Sequence, residues 1–286
     1  MIDGLHHVGV IVRSADAALG LWRDLVGLQV TTDQVLEQEG VRVVVLAQGE
    51  HEIRLIEPLR EDTGAARYLA RRGERLHHLC FRTDDLQADQ ARLSALGMEF
   101  IDRAPRDGLG GRVALINPKS TQHVLVELLE PPAGTPISNE LGIEHLGMLM
   151  SDYESATKTW IDGFGLTMVR EREEPQREAV RRFTMSGRTM VEIMTPTSDS
   201  PDSRYRRRLA RDGEGMISMI ALEVQDIDAE IARLRAAGVE VPDPAAPPGG
   251  RRGVITGLTF GIYLQLVQPA PNRSGGWRPD EPEAEA

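Results

Sequence analysis

The sequence predicts an α+β fold of four βαβββ modules paired into two domains, and three observations carry that reading. A short apolar stretch recurs four times, as Leu5-His6-His7-Val8-Gly9-Val10, Leu76-His77-His78-Leu79-Cys80-Phe81, Glu144-His145-Leu146-Gly147-Met148 and Ile217-Ser218-Met219-Ile220-Ala221-Leu222. Each copy is followed within a few residues by Ser or Asp and then by a segment of helical periodicity, the mark of one supersecondary unit reused. Between the second and third copies runs Pro131-Pro132-Ala133-Gly134-Thr135-Pro136, whose prolines and glycine cannot continue a central strand. The expected layout is a domain at 1–131, a linker at 132–142, a second domain at 143–270 and a tail at 271–286.

Taken in order, the first module opens with a strand over about residues 5 to 12, with His7, Gly9 and Ile11 on one face and Val8, Val10 and Val12 on the other. Ser14 can cap a helix running to about Val26, striped by Ala18, Leu21, Trp22 and Leu25 and ended by Gly27. Leu28–Thr32, Gly40–Leu46 and His51–Ile56 then read as three strands. A short helix over Ala65–Arg72 leads to the second module. There His78, Cys80 and Arg82 share a strand face, and Asp84 or Asp85 caps a helix carrying Leu86, Leu93 and Leu96. Arg112–Leu115 and Val124–Leu129 follow as strands around an Asn117-Pro118-Lys119-Ser120 turn, and Leu125, Glu127 and Leu129 share a face. In the third module Ser151 and Glu154 form a capping-box signature, and the closing strand Met190–Met194 carries Glu192 where the first module has Arg54. The fourth has a helix striped by Ile227, Ile231, Leu234 and Ala237, then a final strand at Ile262–Val267 with Gln265 in the place of Glu127. The tail from Pro271 lacks apolar periodicity and is expected to be disordered.

Composition bounds what the chain can do. At 286 residues with 41% hydrophobic and 27% charged residues, it can bury one large core or two ordinary ones. A formal net charge of −11 disfavours a general nucleic-acid-binding surface. Cys80 is the single cysteine, so no intramolecular disulfide forms and a reducing compartment is expected. Met1-Ile2-Asp3-Gly4 has no secretory character and no apolar run approaches membrane-spanning length, so a cytoplasmic protein is expected.

The chemistry centres on His7, His78 and Glu127. Residues 7, 78, 145 and 219 occupy equivalent places, and His fills the first three while Met fills the fourth. Two imidazoles and a carboxylate suit iron, zinc, cobalt or manganese and leave coordination positions for substrate. The alternative is that both histidines are ordinary strand residues and Glu127 pairs with an arginine. The pattern alone leaves the two readings open.

The same residues carry a resemblance. The chain is identified as a member of the vicinal oxygen chelate superfamily, and residues 5–131 resemble the methylmalonyl-CoA epimerase family. The matching stretches are Leu5 to Val10, Leu21-Trp22-Arg23-Asp24-Leu25-Val26-Gly27-Leu28, Glu39-Gly40-Val41-Arg42-Val43, Gly73-Glu74-Arg75-Leu76-His77-His78, Asn117-Pro118-Lys119-Ser120 and Val124-Leu125-Val126-Glu127-Leu128. The resemblance implies paired modules around one divalent metal (Co, Mn or Zn), held by His7, His78 and Glu127. It also implies epimerisation of a 2-substituted malonyl-CoA-type thioester through an enolate, with Glu37, or Glu39 one register away, as the base. A fourth family ligand falls on Arg54, which has no lone pair to give. Arg54 would then bind a substrate carboxylate, or neutralise Glu127 or Glu52 in a site without metal.

The remaining triad is like that of iron(II)-dependent dioxygenases, so an extradiol-type dioxygenase or glyoxalase-like lyase is the alternative, and a metal-free small-molecule binding protein the third. In the second half His145, Glu192, Met219 and Gln265 make a poor metal set, and a structural or substrate-covering role is expected. The run Arg204-Tyr205-Arg206-Arg207-Arg208 could hold the phosphates of an acyl-CoA, with a solvated helix face as the default. The expected partners are a small-molecule substrate such as an acyl-CoA, no nucleic acid and no membrane, with a homodimer allowed for.

Overall fold

Two mixed β-sheets carry the fold in a computed structural model that describes residues 1–136, 142–246, 250–255 and 260–269, with backbone alone at 216–218. The first sheet contains β1 (Ile2–Ile11), β2 (Gln29–Leu36), β3 (Val41–Gln48), β4 (His51–Pro58), β5 (Arg75–Thr83), β6 (Arg106–Gly108), β7 (Gly111–Ile116) and β8 (Leu125–Glu130), in the order β2-β3-β4-β1-β5-β8-β7-β6. The second contains β9 (Ile143–Leu149), β10 (Thr167–Glu174), β11 (Ala179–Ser186), β12 (Thr189–Pro196), β13 (Met216–Glu223), β14 (Gly250–Ile255) and β15 (Tyr263–Pro269), in the order β10-β11-β12-β9-β13-β15-β14. In the first module the opening strand pairs parallel with the closing one, β1 with β4, and the strands between are antiparallel hairpins. The second module repeats the rule with β5 and β8, and the fourth with β13 and β15.

Each module's helix follows its opening strand, as the cap signals require. Ser14 caps α1 (Ala15–Leu19) by accepting from the Ala17 amide, and the helix continues as a π-helical stretch, Gly20–Leu25. α2 (Gly64–Arg72) bridges to the second module, and Asp85 caps α3 (Leu86–Ala95). The third module corrects one expectation. Asp152, not Ser151, caps α4 (Tyr153–Ala156) by accepting from the Ser155 amide, because the Ser151 amide and hydroxyl are both taken by the Glu214 carboxylate. A second π-helical stretch, Thr157–Gly163, follows α4 at the place of the first. α5 (Arg204–Asp212) corresponds to α2, and Asp226 caps α6 (Ile227–Ala236).

Compactness divides the chain differently from the sheets. Met1–His6, His78–Ile137 and Leu146–Ser218 form one unit, and His7–His77, Ser138–His145 and Met219–Ala286 the other. Within the first unit, Phe81 under β5 stacks on Phe164 at 5.4 Å, and Arg92 of α3 donates to the Gly163 carbonyl at 2.7 Å. Gln122 takes the Trp160 indole N–H at 2.9 Å and donates to Thr159 at 3.1 Å. Gly215 sits at φ +71° against the Gln122 carbonyl, where any Cβ would collide. Within the second unit, Arg233 of α6 donates to the Val26 carbonyl at 3.1 Å, and the Ile143 amide donates to His51 Nδ1 at 3.1 Å. The expected tail at 271–286 lies outside the described residues.

Candidate metal centre

Strand alternation decides which side chains can meet. On β1, Val8 and Val10 are fully buried under the helices, so His7, also fully buried, faces the other way with Gly9. On β5, His78 shares its face with Cys80 and Arg82, while Leu79 and Phe81 point back. The parallel register sets Cys80 opposite Glu127 and His78 opposite Leu125, which puts Glu127 on the face of His78. One ligand atom from each of His7, His78 and Glu127 lies within 4.8 Å of the others.

The donor set fits a divalent ion: two imidazoles and one carboxylate, from three strands, with both histidines buried. Neighbouring donors on an ion of this kind sit about 3 Å apart at ligand distances of about 2.0–2.2 Å, within the limit observed here. These three residues would hold the ion. His6, His7 and Cys80 form a second grouping of the same spacing, which shares His7 with the first.

Arg54 lies in register with Gly9, two residues along from the Glu52 that faces His7, and so belongs to the same face. Its Nε and terminal amine both reach one Glu52 carboxylate oxygen at 2.8 Å, and its side chain is only 7% exposed. The guanidinium is therefore already engaged with a carboxylate and has no lone pair for a metal, the behaviour of an anion holder. Glu37 is exposed in the turn after β2, and its carbonyl accepts from Arg60 at 3.3 Å. Glu39 occupies the same turn and is half-buried. His77 plays a different part from its neighbour His78. Burial pulls its imidazole down to about 4, and its ring meets Tyr68 edge-on at 4.7 Å, so near neutral pH it is an uncharged packing residue.

The second half uses the equivalent positions otherwise. Glu192 is gripped by Arg181 of the neighbouring strand, and Arg181 also reaches Glu174 at 2.8 Å. Burial works against the Arg181 charge, yet Glu192 and Glu174 together hold its guanidinium above its ordinary value. His145 Nδ1 is bonded to Glu144, whose other oxygen lies 3.5 Å from Arg252. The amide oxygen of Gln265 is buried without a hydrogen-bond partner among the described residues. The Arg181–Glu192 pair escaped the sequence reading. Its signal was the arginine on alternate positions with Phe183, the residue opposite Glu192 in the β11–β12 register.

Comparison with known proteins separates the halves in the same way. Residues 6–115 match a model of the Glyoxalase/Bleomycin resistance protein/Dioxygenase superfamily, and residues 142–264 match a second model of that superfamily. The chain belongs to this superfamily. Its first half is similar to the uncharacterised protein YqjC of Bacillus subtilis strain 168, at 35% identity over 46% of this chain and 94% of the relative. It is also similar to the ethylmalonyl-CoA/methylmalonyl-CoA epimerase of Cereibacter sphaeroides, at 30% identity over 45% of this chain and 98% of the relative. Across its whole length the superfamily fold is shared with a mutant 4-hydroxymandelate synthase from Streptomyces coelicolor, with a TM-score of 0.77 at 17% identity, covering 96% of this chain and 94% of that one. Among the described residues no helix is long and apolar enough to cross a membrane.

Proposed function

We propose that the chain is a divalent-metal-dependent epimerase of a 2-substituted malonyl-CoA-type thioester, acting through an enolate. The observation that carries this is the meeting of His7, His78 and Glu127 in the half that matches the epimerases. A bound divalent ion supplies Lewis acidity toward the thioester carbonyl and charge stabilisation for the enolate oxygen.

The chain's own residues supply the rest. His7, His78 and Glu127 would hold the ion with one carboxylate among the three donors, which would leave it electrophilic toward the substrate. Arg54 takes the free carboxylate of the substrate in its planar fork, in exchange for Glu52. Glu37 removes the proton from the carbon between carboxylate and thioester. Its exposure lets that proton exchange with water before one returns to the opposite face. In this reading the domain at 1–131 holds the reaction.

Incubation of the metal-loaded protein with 2-methylmalonyl-CoA in deuterated water tests the proposal. Deuterium should enter at the alpha carbon with no oxygen consumed. The three-donor set with Arg54 in the fourth place favours one second reading, an iron(II)-dependent dioxygenase or a related lyase. Absence of exchange with methyl- and ethyl-substituted malonyl thioesters, together with oxygen uptake on a catechol in the presence of iron(II), would establish that reading instead.

A further inference from the structure

Helix α5 carries five arginines, and they sort onto different faces. At about 100° per residue, Arg204, Arg207, Arg208 and Arg211 fall within an arc of about 100°. Beside that arc Tyr205 and Leu209 pack on Leu149, Ala179 and Met194. Arg206 points away, to the Ser198 carbonyl and to Asp199, each at 2.9 Å. The four arginines of the arc line a cavity of about 510 Å³.

Nothing in the helix itself calls for this arrangement. Like charges three and four residues apart repel one another, and the first turn, the positive end of the helix dipole, holds cations and no acid. Among the described residues Asp212 is the one carboxylate paired with any of the four. It binds Arg211 at 2.7 and 2.9 Å and lies 3.8 Å from Arg208. The Nε of Arg208 is buried without a hydrogen-bond partner among the described residues, although the side chain is 29% exposed. Burial, reinforced by Arg211 and Arg204 and opposed by Asp212, pulls its guanidinium below its ordinary value. The equivalent helix α2, Gly64-Ala65-Ala66-Arg67-Tyr68-Leu69-Ala70-Arg71-Arg72, has a glycine where Arg204 stands and a tyrosine where Arg208 stands. The module fold therefore does not require the charge. Local rules broken at one place without structural return mark a place shaped for a ligand.

We infer that the arginine arc of α5 is a binding site for a small organic polyphosphate. Guanidinium forks match phosphoryl oxygens in pairs. From Arg204 to Arg211 the helix rises about 10 Å, at 1.5 Å per residue, which is more than a single phosphate can bridge. A chain with net charge −11, and with Tyr205 of this helix buried rather than stacked outward, does not suit a nucleic-acid strand. The phosphates can belong to a free nucleotide or to the phosphorylated end of coenzyme A. The site stands apart from the proposed reaction and does not depend on it.

Calorimetric titration of the full chain with ADP, adenosine and 3′-phosphoadenosine 5′-diphosphate tests the assignment. ADP should bind with an affinity that weakens with salt, and adenosine should not bind. The double variant Arg204→Gln/Arg207→Gln changes exposed side chains and should lower ADP affinity at least about tenfold, with the melting temperature unchanged. His78→Ala should bind ADP like the wild type, which keeps this result separate from the fate of the metal reading. Tighter binding of the 3′-phosphorylated ligand than of ADP assigns the site to coenzyme A, and equal binding assigns it to a free nucleotide. Absence of ADP binding at millimolar concentration overturns the inference. So does unchanged affinity in the double variant, or lost affinity in His78→Ala.

Discussion

Where β4 carries Arg54, β12 carries Glu192, and each half answers its charge differently. In the first half the cation leans on Glu52 of its own strand, and two imidazoles and a carboxylate come together on the same face. In the second half the carboxylate is gripped by Arg181, which stands on β11 where β3 has Val43, and the remaining histidine is bonded to Glu144. A buried acid needs a counter-charge, and in the second half a guanidinium supplies it. The same module fold thus presents either a His–His–Glu cluster or a self-neutralised wall, and the two differ at one or two strand positions.

The sharpest way to break that contrast is to remove one histidine from each half. His78→Ala should lose most bound metal, measured by elemental analysis of protein purified without added metal. His145→Ala and His77→Ala should retain it. Equal metal in the His78 variant and the wild type would place the ion elsewhere. Next in size is the proposed base. Glu37→Gln should slow deuterium exchange by roughly two or more orders of magnitude, the usual scale for loss of a general base, with metal content unchanged. Exchange at the wild-type rate would move the base to Glu39, the neighbour in the same turn.

How much of this was legible in the sequence differs between backbone and charge. The recurring strand, the caps at Ser14 and Asp85 and the glycines ending the helices are local signals, and the structure uses them as expected. Strand periodicity was enough to bring His7, His78 and Glu127 to one face. The Ser151 cap failed because Glu214, distant in sequence, takes the hydroxyl. Arg54–Glu52 was among the alternatives since both lie on one strand, but Arg181–Glu192 crosses strands and depends on register that no single stretch reveals. The grouping of the second module with the third was hidden for the same reason. Contacts such as Phe81 with Phe164 join residues with no shared motif.

A third test addresses the wall. Glu192→Gln leaves Arg181 with Glu174 alone, and should destabilise the protein by about 3 kcal/mol, the low end for a buried pair losing one partner. The readout is chemical denaturation. Glu127→Gln, in the first half's His–His–Glu cluster, should register first in metal content. A Glu192 variant as stable as the wild type would mean that the second half does not depend on its internal ion pair.

The smallest effect compares the module helices, where α3 and α6 carry an acid and an arginine at equivalent places in different surroundings. Asp89 is buried, accepts from Thr83 at 2.6 Å and pairs with Arg92 at 2.9 Å, whereas the equivalent Glu230 is only partly buried where it pairs with Arg233. Asp89→Asn should cost about 1–3 kcal/mol, and Glu230→Gln no more than about 0.5 kcal/mol. The pH dependence gives the sign a second check. Burial works to raise the Asp89 carboxyl, but the bonds from Thr83 and Arg92 outweigh it and leave the folded value below the ordinary 3.8. A carboxyl lowered by folding contributes stability in full above that ordinary value and loses it as the pH falls through the folded one. Wild type and Asp89→Asn should therefore differ most above pH 3.8 and converge in stronger acid. A gap that persists unchanged at pH 2 would assign the cost to packing rather than to charge.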